Sequence, residues 1–356
     1  MTAEKLHHVW EYTDTDRRFW REHLEARVPR RIIDAHTHLA RPEDRLEPMT
    51  EEKRRQYWVN EVSEPIPADT AERCLRTVFP DRRAECVAMG PPSLDYDIEA
   101  ANEYLRAECV RRGWHALALL RPEWDADRIE RELDRPGVIG VKPYYSLIGR
   151  DPASRDRHLE ADIFDYLPPR ALEVLDRRGA WVTLHVPKAD RLPHPQNIRR
   201  IRQIRQDYPR VILVVAHLGR CYTLPHAREG LPPLAEDEGL YFDVSAVLNP
   251  DVLRLAVERI GPRRLLYGTD NPVFYMRGRR RWRGREYINY TSHNFHFNRD
   301  RHEPPEVEAG YTLFMYEALK ALLDVCEECG LGGGEVEAVF HDNARRLIET
   351  ATAEEE

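Results

Sequence analysis

The feature that most constrains the fold is a series of eight short apolar segments, distributed along the chain and separated by stretches of helical character. The segments are residues 32–38 (IIDAHTH), 86–90 (CVAMG), 114–122 (WHALALLRP), 138–145 (VIGVKPYY), 181–187 (WVTLHVP), 211–219 (VILVVAHLG), 241–247 (YFDVSAV) and 265–272 (LLYGTDNP). Most of them are continuous apolar runs rather than strict alternations, which is typical of strands in a buried parallel sheet. Eight such strands alternating with helices predict an α/β fold, the (β/α)8 TIM barrel.

The stretches between these segments have the pattern of helices with recognisable ends. Residues 95–113 and 168–179 each finish on a glycine, the common residue just past a helix end. Residues 194–209 place isoleucines three positions apart, and residues 249–261 carry a proline near the start and a glycine at the end. An open, doubly wound sheet is the main alternative, but no GxGxxG follows the first segment, so the barrel is favoured.

Further segments surround the predicted barrel. Residues 1–31 are expected to form an N-terminal helical extension, with Asp14 or Asp16 as the helix cap. Residues 32–349 make up the barrel, with long loops at its carboxyl-terminal face and a C-terminal helix, and residues 350–356 form a tail. Residues 273–305 are predicted to be a lid-like insertion, because they exceed the usual length of a structureless loop.

Composition narrows the range of partners and compartments. The 54 Lys and Arg residues against 62 Asp and Glu residues give a net charge of −8, which argues against general nucleic-acid binding. The first thirty residues lack the apolar core of a secretory signal, and no stretch approaches the length of a membrane-spanning helix. Six scattered cysteines do not suggest a disulfide scaffold, so a cytoplasmic location is expected.

Five polar residues interrupt the predicted strands near their carboxyl ends, where active sites of such barrels are built. His36 and His38 are two positions apart on the first strand, so both side chains can face the same side. His185, His217 and Asp270 close the fifth, sixth and eighth strands. Burying these groups without partners would be costly, whereas a shared metal would pair with them. Three histidines and an aspartate suit Zn²⁺, or another divalent ion.

At these residues the chain resembles the amidohydrolase superfamily. The similarity is to the branch that groups TIM-barrel metal-dependent hydrolases with aminocarboxymuconate-semialdehyde decarboxylase-like enzymes. The matching segments are IIDAHTHL, GVKPYY, WVTLHV, VVAHLG, LLYGTDNP and HDNARRLI, which extend over residues 32–349.

The resemblance implies a role for each strand-end residue. His36, His38, His185 and Asp270 would bind one divalent metal ion, expected to be Zn²⁺. His217 would polarise the substrate, and Asp270 would also transfer a proton from the attacking water to the leaving group. His217 and Asp270 are therefore the predicted catalytic residues.

Lys142, near the end of the fourth strand, decides between one metal ion and two. In binuclear branches of the superfamily a carboxylated lysine at this place bridges two metals, with the histidines of the fifth and sixth strands on the second ion. In the mononuclear branch, where the GVK motif is also common, the lysine suits a substrate anion. One metal is favoured here. A simple ion pair between Lys142 and Asp270 is a further alternative.

Residues just after the strands are expected to contact the substrate. Tyr144, Arg220 and Asn271, together with Lys142, are the predicted substrate-binding residues. Six arginines lie among the nine residues 277–285. Their alternative roles are a solvated or subunit-pairing face of a homo-oligomer, a lid that attracts an anionic substrate, or a nucleic-acid patch. The last is disfavoured by the acidic chain.

These observations predict a metal-dependent hydrolase that opens a lactone, ester or amide bond of a small, carboxylated and therefore anionic molecule. The alternative is a metal-dependent non-oxidative decarboxylase on the same site, since similar scaffolds support both reactions. A catalytically inactive barrel is a third possibility, disfavoured because such a protein has no need of five converging metal-type groups.

Overall fold

A computed structural model of the chain describes residues 3–149 and 158–353. Within these residues the strands are β1 (Glu4–His7), β2 (Trp10–Tyr12), β3 (Arg31–His38), β4 (Arg83–Met89), β5 (His115–Leu120), β6 (Val138–Pro143), β7 (Trp181–Leu184), β8 (Ile212–Val215), β9 (Leu240–Asp243), β10 (Leu265–Leu266), β11 (Arg277–Arg283), β12 (Glu286–Tyr290) and β13 (Thr312–Leu313). The longer helices are Ala68–Val78, Ile98–Arg112, Ala126–Leu133, Pro169–Arg177, Pro195–Asp207, Pro250–Arg259, Phe314–Glu328 and Asn343–Thr352.

Strands β3 to β10 form one parallel sheet in sequence order, which confirms the predicted eight strands. The first and last strands also meet. The Ala35 amide donates to Tyr267 O at 2.9 Å, and the Asp270 amide donates to His36 O at 2.8 Å. The eight strands therefore curl into a barrel, and the predicted TIM-barrel fold is confirmed.

The C-terminal helix covers one end of the barrel. Its residues Ala344, Leu347 and Ile348 pack against a cluster of inward-facing residues that includes Ile33 and Trp181. A larger apolar layer lies outside the barrel, between the strands and the surrounding helices. Because apolar side chains fill the end nearest this helix, the carboxyl ends of the strands remain as the polar mouth.

The N-terminal extension is helical only from Asp14, so the prediction for residues 1–31 needs correction. Strands β1 and β2 pair antiparallel ahead of the helix Asp14–Phe19. In β2 Trp10 and Tyr12 are buried and the residue between them is exposed, which is the two-residue period of a strand. The helix cap is Thr13, which forms a capping box with Asp16.

The predicted insertion 273–305 contains regular structure. Strands β11 and β12 form an antiparallel hairpin, and β13 pairs with the other edge of β11. Whether this insertion moves as a lid stays a prediction. In the predicted tail, residues 354–356 lie outside the described residues. Among the helices the structure describes, none is both long and apolar enough to cross a membrane.

Candidate metal centre and active site

A bulge in β3 aims the histidine pair into the barrel. Between Asp34 and Thr37 the strand advances three residues while β4 advances two, so β3 carries one extra residue. Beyond the bulge His38 lies opposite Met89, whose side chain belongs to the barrel interior. Neighbours in a parallel sheet face the same side, so the bulge turns this end of β3 towards the mouth.

His36, His38 and Asp270 form a compact group at the mouth. Nε2 of His36 lies 3.8 Å from Oδ1 of Asp270, and Nε2 of His38 lies 3.6 Å from the same oxygen. Atoms bound to one zinc ion at about 2.0–2.1 Å are about 3.3–3.4 Å apart in tetrahedral geometry. The three side chains are thus within a few tenths of an ångström of spacings suited to a shared ion, and they form a group that could hold one.

The hydrogen bonds of the histidines define which nitrogen is free. Nδ1 of His36 donates to Oδ2 of Asp243 at 2.9 Å, and Nδ1 of His38 donates to Gly90 O at 3.0 Å. Nδ1 of His217 lies 3.1 Å from Ser245 O and 2.8 Å from Ser245 Oγ. A carboxylate or carbonyl only accepts, so Nδ1 carries the proton and the Nε2 lone pair remains available in each neutral ring.

Burial keeps the rings of His36 and His217 neutral. It lowers the pKa of His36 well below its ordinary value, with the nearby Lys142 as the next cause, and it lowers the pKa of His217. Burial alone would raise the pKa of Asp270, but His217 and the His36–His38 pair outweigh it and hold that pKa low. Neutral imidazoles around an ionised carboxylate are the protonation states that a divalent metal requires.

His217 and Asp270 both have left-handed backbone conformations. The turn His217–Arg220 has φ values of 55°, 50°, 67° and 64°, and Asp270 has a φ of 60°. Side-chain-bearing residues rarely adopt this region, and such strain is concentrated at functional sites. The turn places the His217 ring 4.5 Å from that of His36, measured between centroids.

His185 lies beside His217, outside the group formed by His36, His38 and Asp270. Its ring centroid is 5.3 Å from that of His217, and it joins neither group of potential metal ligands among the described residues. Its Nδ1 is buried and finds no hydrogen-bond partner in residues 3–149 and 158–353. An unpartnered buried nitrogen is costly, and a bound metal would remove that cost, so the role of His185 as the third imidazole ligand stays a prediction.

Lys142 is fully buried within the same group. Its Nζ lies 3.4 Å from Nε2 of His36. Burial lowers the pKa of Lys142 to about 8, while Asp243 and Asp270 oppose this shift. No ion pair with Asp270 within 4.0 Å is found for the described part of the chain. The amine therefore faces the metal group directly.

The other predicted substrate residues line the same mouth. The Tyr144 ring lies 4.6 Å from that of His185, and Nη1 of Arg220 donates to Lys188 O at 2.9 Å. The side-chain oxygen of Asn271 is buried without a partner among the residues described. All three lie at the barrel mouth, and their contacts with substrate stay predictions.

Two buried carboxylates were missed by the sequence analysis. Asp243 on β9 holds His36 and also accepts from the backbone amide of His217 at 2.9 Å. Asp34 accepts from Oγ1 of Thr269 at 2.6 Å and from its backbone amide at 2.9 Å. His36, His217 and Asp243 also form a possible ligand group, but their facing atoms are already hydrogen-bonded, so these carboxylates support the site. Both interrupt apolar strand segments, and this was the available signal.

The chain belongs to the amidohydrolase family, whose model matches residues 33–349. No curated protein matches the chain. The solved structures that share its fold include one hydrolase and two decarboxylases. A probable 2-pyrone-4,6-dicarboxylic acid hydrolase from Acinetobacter baumannii, with citric acid bound, is 14% identical with a TM-score of 0.55, over 89% of this chain and 98% of that chain.

The other two are decarboxylases with bound manganese. A 5-carboxyvanillate decarboxylase from Novosphingobium aromaticivorans is 12% identical with a TM-score of 0.53, over 89% of this chain and 97% of that chain. A dihydroxybenzoic acid decarboxylase from Polaromonas is 15% identical with a TM-score of 0.51, over 91% of this chain and 98% of that chain. Proteins that share this fold thus include both hydrolases and decarboxylases.

Proposed function

We propose that the chain is a metal-dependent hydrolase acting on a lactone, ester or amide bond of a small carboxylated molecule. The observation that carries the proposal is that hydrogen bonds hold Nδ1 of His36 and Nδ1 of His38, while Nε2 of the two rings lies 3.8 and 3.6 Å from Oδ1 of Asp270. Fixing one ring nitrogen so that the other can ligate is the usual support of a metal site.

His36, His38, His185 and Asp270 would hold one divalent ion, with Zn²⁺ the proposed metal. The donor set fits, because it offers neutral imidazoles, a carboxylate and the otherwise unpartnered Nδ1 of His185. When bound, such an ion supplies Lewis acidity and lowers the pKa of a water molecule at the site. If Lys142 were carboxylated, a two-metal site using His217 would be the alternative.

Side chains at the barrel mouth would transfer the proton and bind the substrate. The low pKa of Asp270 keeps its carboxylate ionised, so it can accept a proton from the attacking water and deliver it to the leaving group. His217, with Nε2 free, is oriented to contact the substrate carbonyl. Lys142 and Arg220 supply cationic groups, and Tyr144 and Asn271 polar ones, for a carboxylated substrate.

Non-oxidative decarboxylation is the second candidate function. It is supported by the two decarboxylases that share the fold. In that reaction a carboxylate of the substrate would leave as CO₂ and a proton would take its place on carbon. Asp270 is the residue suited to deliver that proton. A cytoplasmic small-molecule enzyme, without nucleic-acid or membrane partners and able to form a homo-oligomer, fits both reactions.

The test combines metal content with product analysis. The purified chain is assayed against carboxylated lactones, esters and amides and against aromatic carboxylates, with titration of released acid and detection of CO₂. Activity that is lost with a chelator and restored by Zn²⁺ or Mn²⁺, with acid as product, supports the hydrolase, and CO₂ supports the second candidate. Full activity in metal-free protein would overturn both.

A matched pair of variants sharpens the result. His38→Ala removes a proposed ligand and should abolish both bound metal and turnover. His302→Ala removes an exposed histidine that pairs with Glu308 and should leave both unchanged.

A further inference from the structure

Three arginines lie close to one another beside the metal group. Arg191 follows β7, Arg220 follows β8, and Arg280 lies on β11 with only 4% of its surface exposed. About half of the other arginines pair with Asp or Glu, but these three make no ion pair within 4.0 Å to any carboxylate in residues 3–149 and 158–353. Uncompensated charge of this kind is costly to bury.

Aromatic rings lie against the guanidinium groups of Arg191 and Arg280, and backbone carbonyls accept hydrogen bonds from all three. Arg280 Cζ lies 4.3 Å from the Tyr287 ring and 5.5 Å from the Tyr222 ring. Arg191 Cζ lies 5.3 and 5.6 Å from the Tyr222 and Tyr287 rings. Nη1 of Arg280 donates to Ala246 O at 3.0 Å. These neutral contacts hold the side chains in place, but they leave the positive charges in excess.

The cluster is continuous with the proposed catalytic group. The Tyr222 ring lies 6.3 Å from the His217 ring, and Tyr287 packs edge-on against Tyr222 at 5.4 Å. Nε of Arg191 is buried and has no partner in the part of the chain that the structure describes. A cationic, aromatic-walled region therefore extends from His217 towards the hairpin β11–β12.

The strand period explains why Arg280 alone of the hairpin arginines enters this region. In β11 the alternate residues Gly278 and Arg280 are buried, whereas Arg281 and Arg283 are exposed. The arginine-rich run thus has two faces. One face of the strand exposes its arginines to solvent, and on the other face Arg280 is buried at the barrel mouth.

We propose that Arg191, Arg220 and Arg280, with Tyr222 and Tyr287, bind a second carboxylate of the substrate, remote from the reacting end. This inference rests on the proposed function for the reacting end and adds that the enzyme selects flat molecules with two acidic groups. The planar guanidinium fork matches a carboxylate, and the two tyrosine rings suit a planar substrate. Arg280 and Arg191 become specificity-determining residues.

The test compares two probes that differ by one carboxylate. Benzoate and benzene-1,3-dicarboxylate are titrated into the full-length purified chain by isothermal calorimetry. The shared carboxylate cancels in the ratio of affinities, so the ratio reports the second one alone. A charge-assisted contact predicts that the dicarboxylate binds about tenfold to a hundredfold more tightly.

Three variants locate the effect. Arg280→Gln and Arg191→Gln should each reduce the ratio towards one. Arg283→Gln, an exposed position on the same strand, should keep the wild-type ratio. If Arg280→Gln fails to fold because its ring contacts are structural, Arg191→Gln still tests the cluster.

Equal affinities for the two probes in the wild type, or an unchanged ratio in Arg191→Gln, would overturn the inference. Because binding is measured without turnover, this failure is distinct from that of the proposed function. Metal-dependent turnover with a ratio of one would leave the hydrolase intact and remove only the second subsite.

Discussion

Asp243 Oδ2 lies 2.9 Å from Nδ1 of His36, and Oδ1 of the same carboxylate lies 2.9 Å from the backbone amide of His217. Ser245 also donates to this carboxylate through its backbone amide at 3.1 Å. One buried side chain on β9 therefore fixes histidines that come from β3 and from the turn after β8. Asp243 thus orients the histidines of the proposed metal site, although both of its carboxylate oxygens already accept hydrogen bonds.

Asp243→Asn is expected to weaken metal binding by about 10–100-fold. The negative charge of Asp243 orients His36 and raises the basicity of its ring, and the amide lacks this charge. Metal retention in competition with a chelator measures the effect. Asp251→Asn, at an exposed position on the helix Pro250–Arg259, serves as the control. Equal retention in the two variants would show that Asp243 has only a structural role.

The local sequence marked Asp243 as a polar residue within an apolar segment, but it could not show which residues Asp243 contacts. The segment that contains it was predicted as a strand, but its partner His36 is 207 residues away and meets it only across the closed barrel. The strand-end histidines could be predicted as site residues because several imidazoles buried at the same ends of apolar strands need a shared polar partner, such as a metal ion. Asp34 and Asp243 act through contacts that only barrel closure creates.

Lys142→Met should distinguish one metal ion from two. With a single ion, the ammonium of Lys142 would contact a substrate carboxylate, so the variant should mainly raise KM and keep metal near one per chain. With two ions, a carboxylated Lys142 would bridge them, and metal content should fall from two towards one. Elemental analysis with steady-state kinetics separates these outcomes, and two metals per wild-type chain would contradict the proposed single site.

Asp270→Asn should lower kcat far more than metal occupancy. The amide preserves shape and one ligating oxygen but removes basicity, and general acid–base catalysis contributes typically about 10²–10⁴-fold. Metal content and kcat are measured on the same preparation, beside His38→Ala, which should lose both. Parallel losses of occupancy and rate in Asp270→Asn would leave Asp270 as a ligand only.

The barrel was predictable because its signal is repeated. Eight apolar runs, each bounded by glycine, proline or a charged helix, leave few alternative architectures, and small boundary errors do not alter the topology. The hairpins β1–β2 and β11–β12 were not predicted. Trp10 and Tyr12 alternate over only three residues, and β11 is rich in arginine, so neither carries the apolar pattern of a buried strand.

His7 should make stability depend on pH. Burial, followed by the neighbouring His8, lowers the pKa of His7 from 6.5 to about 4 in the folded protein, where its Nε2 accepts from the Glu64 amide at 3.1 Å. A depressed histidine pKa stabilises the fold above the unfolded pKa of 6.5, and this stabilisation is lost as pH falls towards 4. His7→Gln cannot titrate, so between pH 7 and 5 it should lose less stability than the wild type, by about 2 kcal/mol. Urea unfolding at the two pH values measures this, and identical losses would refute the assignment.

Gly219 should be irreplaceable in the turn after β8 because two separate constraints meet there. Its φ is +67°, and an added Cβ would lie 2.6 Å from Cβ of Leu192. Gly113 offers a matched control, since its φ is +68° but nothing lies within 4 Å of an added Cβ. Both alanine variants incur the left-handed backbone cost of roughly 1–2 kcal/mol, and only Gly219→Ala adds overpacking of about 1–3 kcal/mol. The difference in unfolding free energy, measured in urea, should therefore isolate the contact with Leu192.

Because the same turn carries His217 and Arg220, Gly219→Ala should also lower turnover, whereas Gly113→Ala should not. Equal destabilisation by the two variants would mean that the Leu192 segment yields, and that the turn does not depend on this close approach.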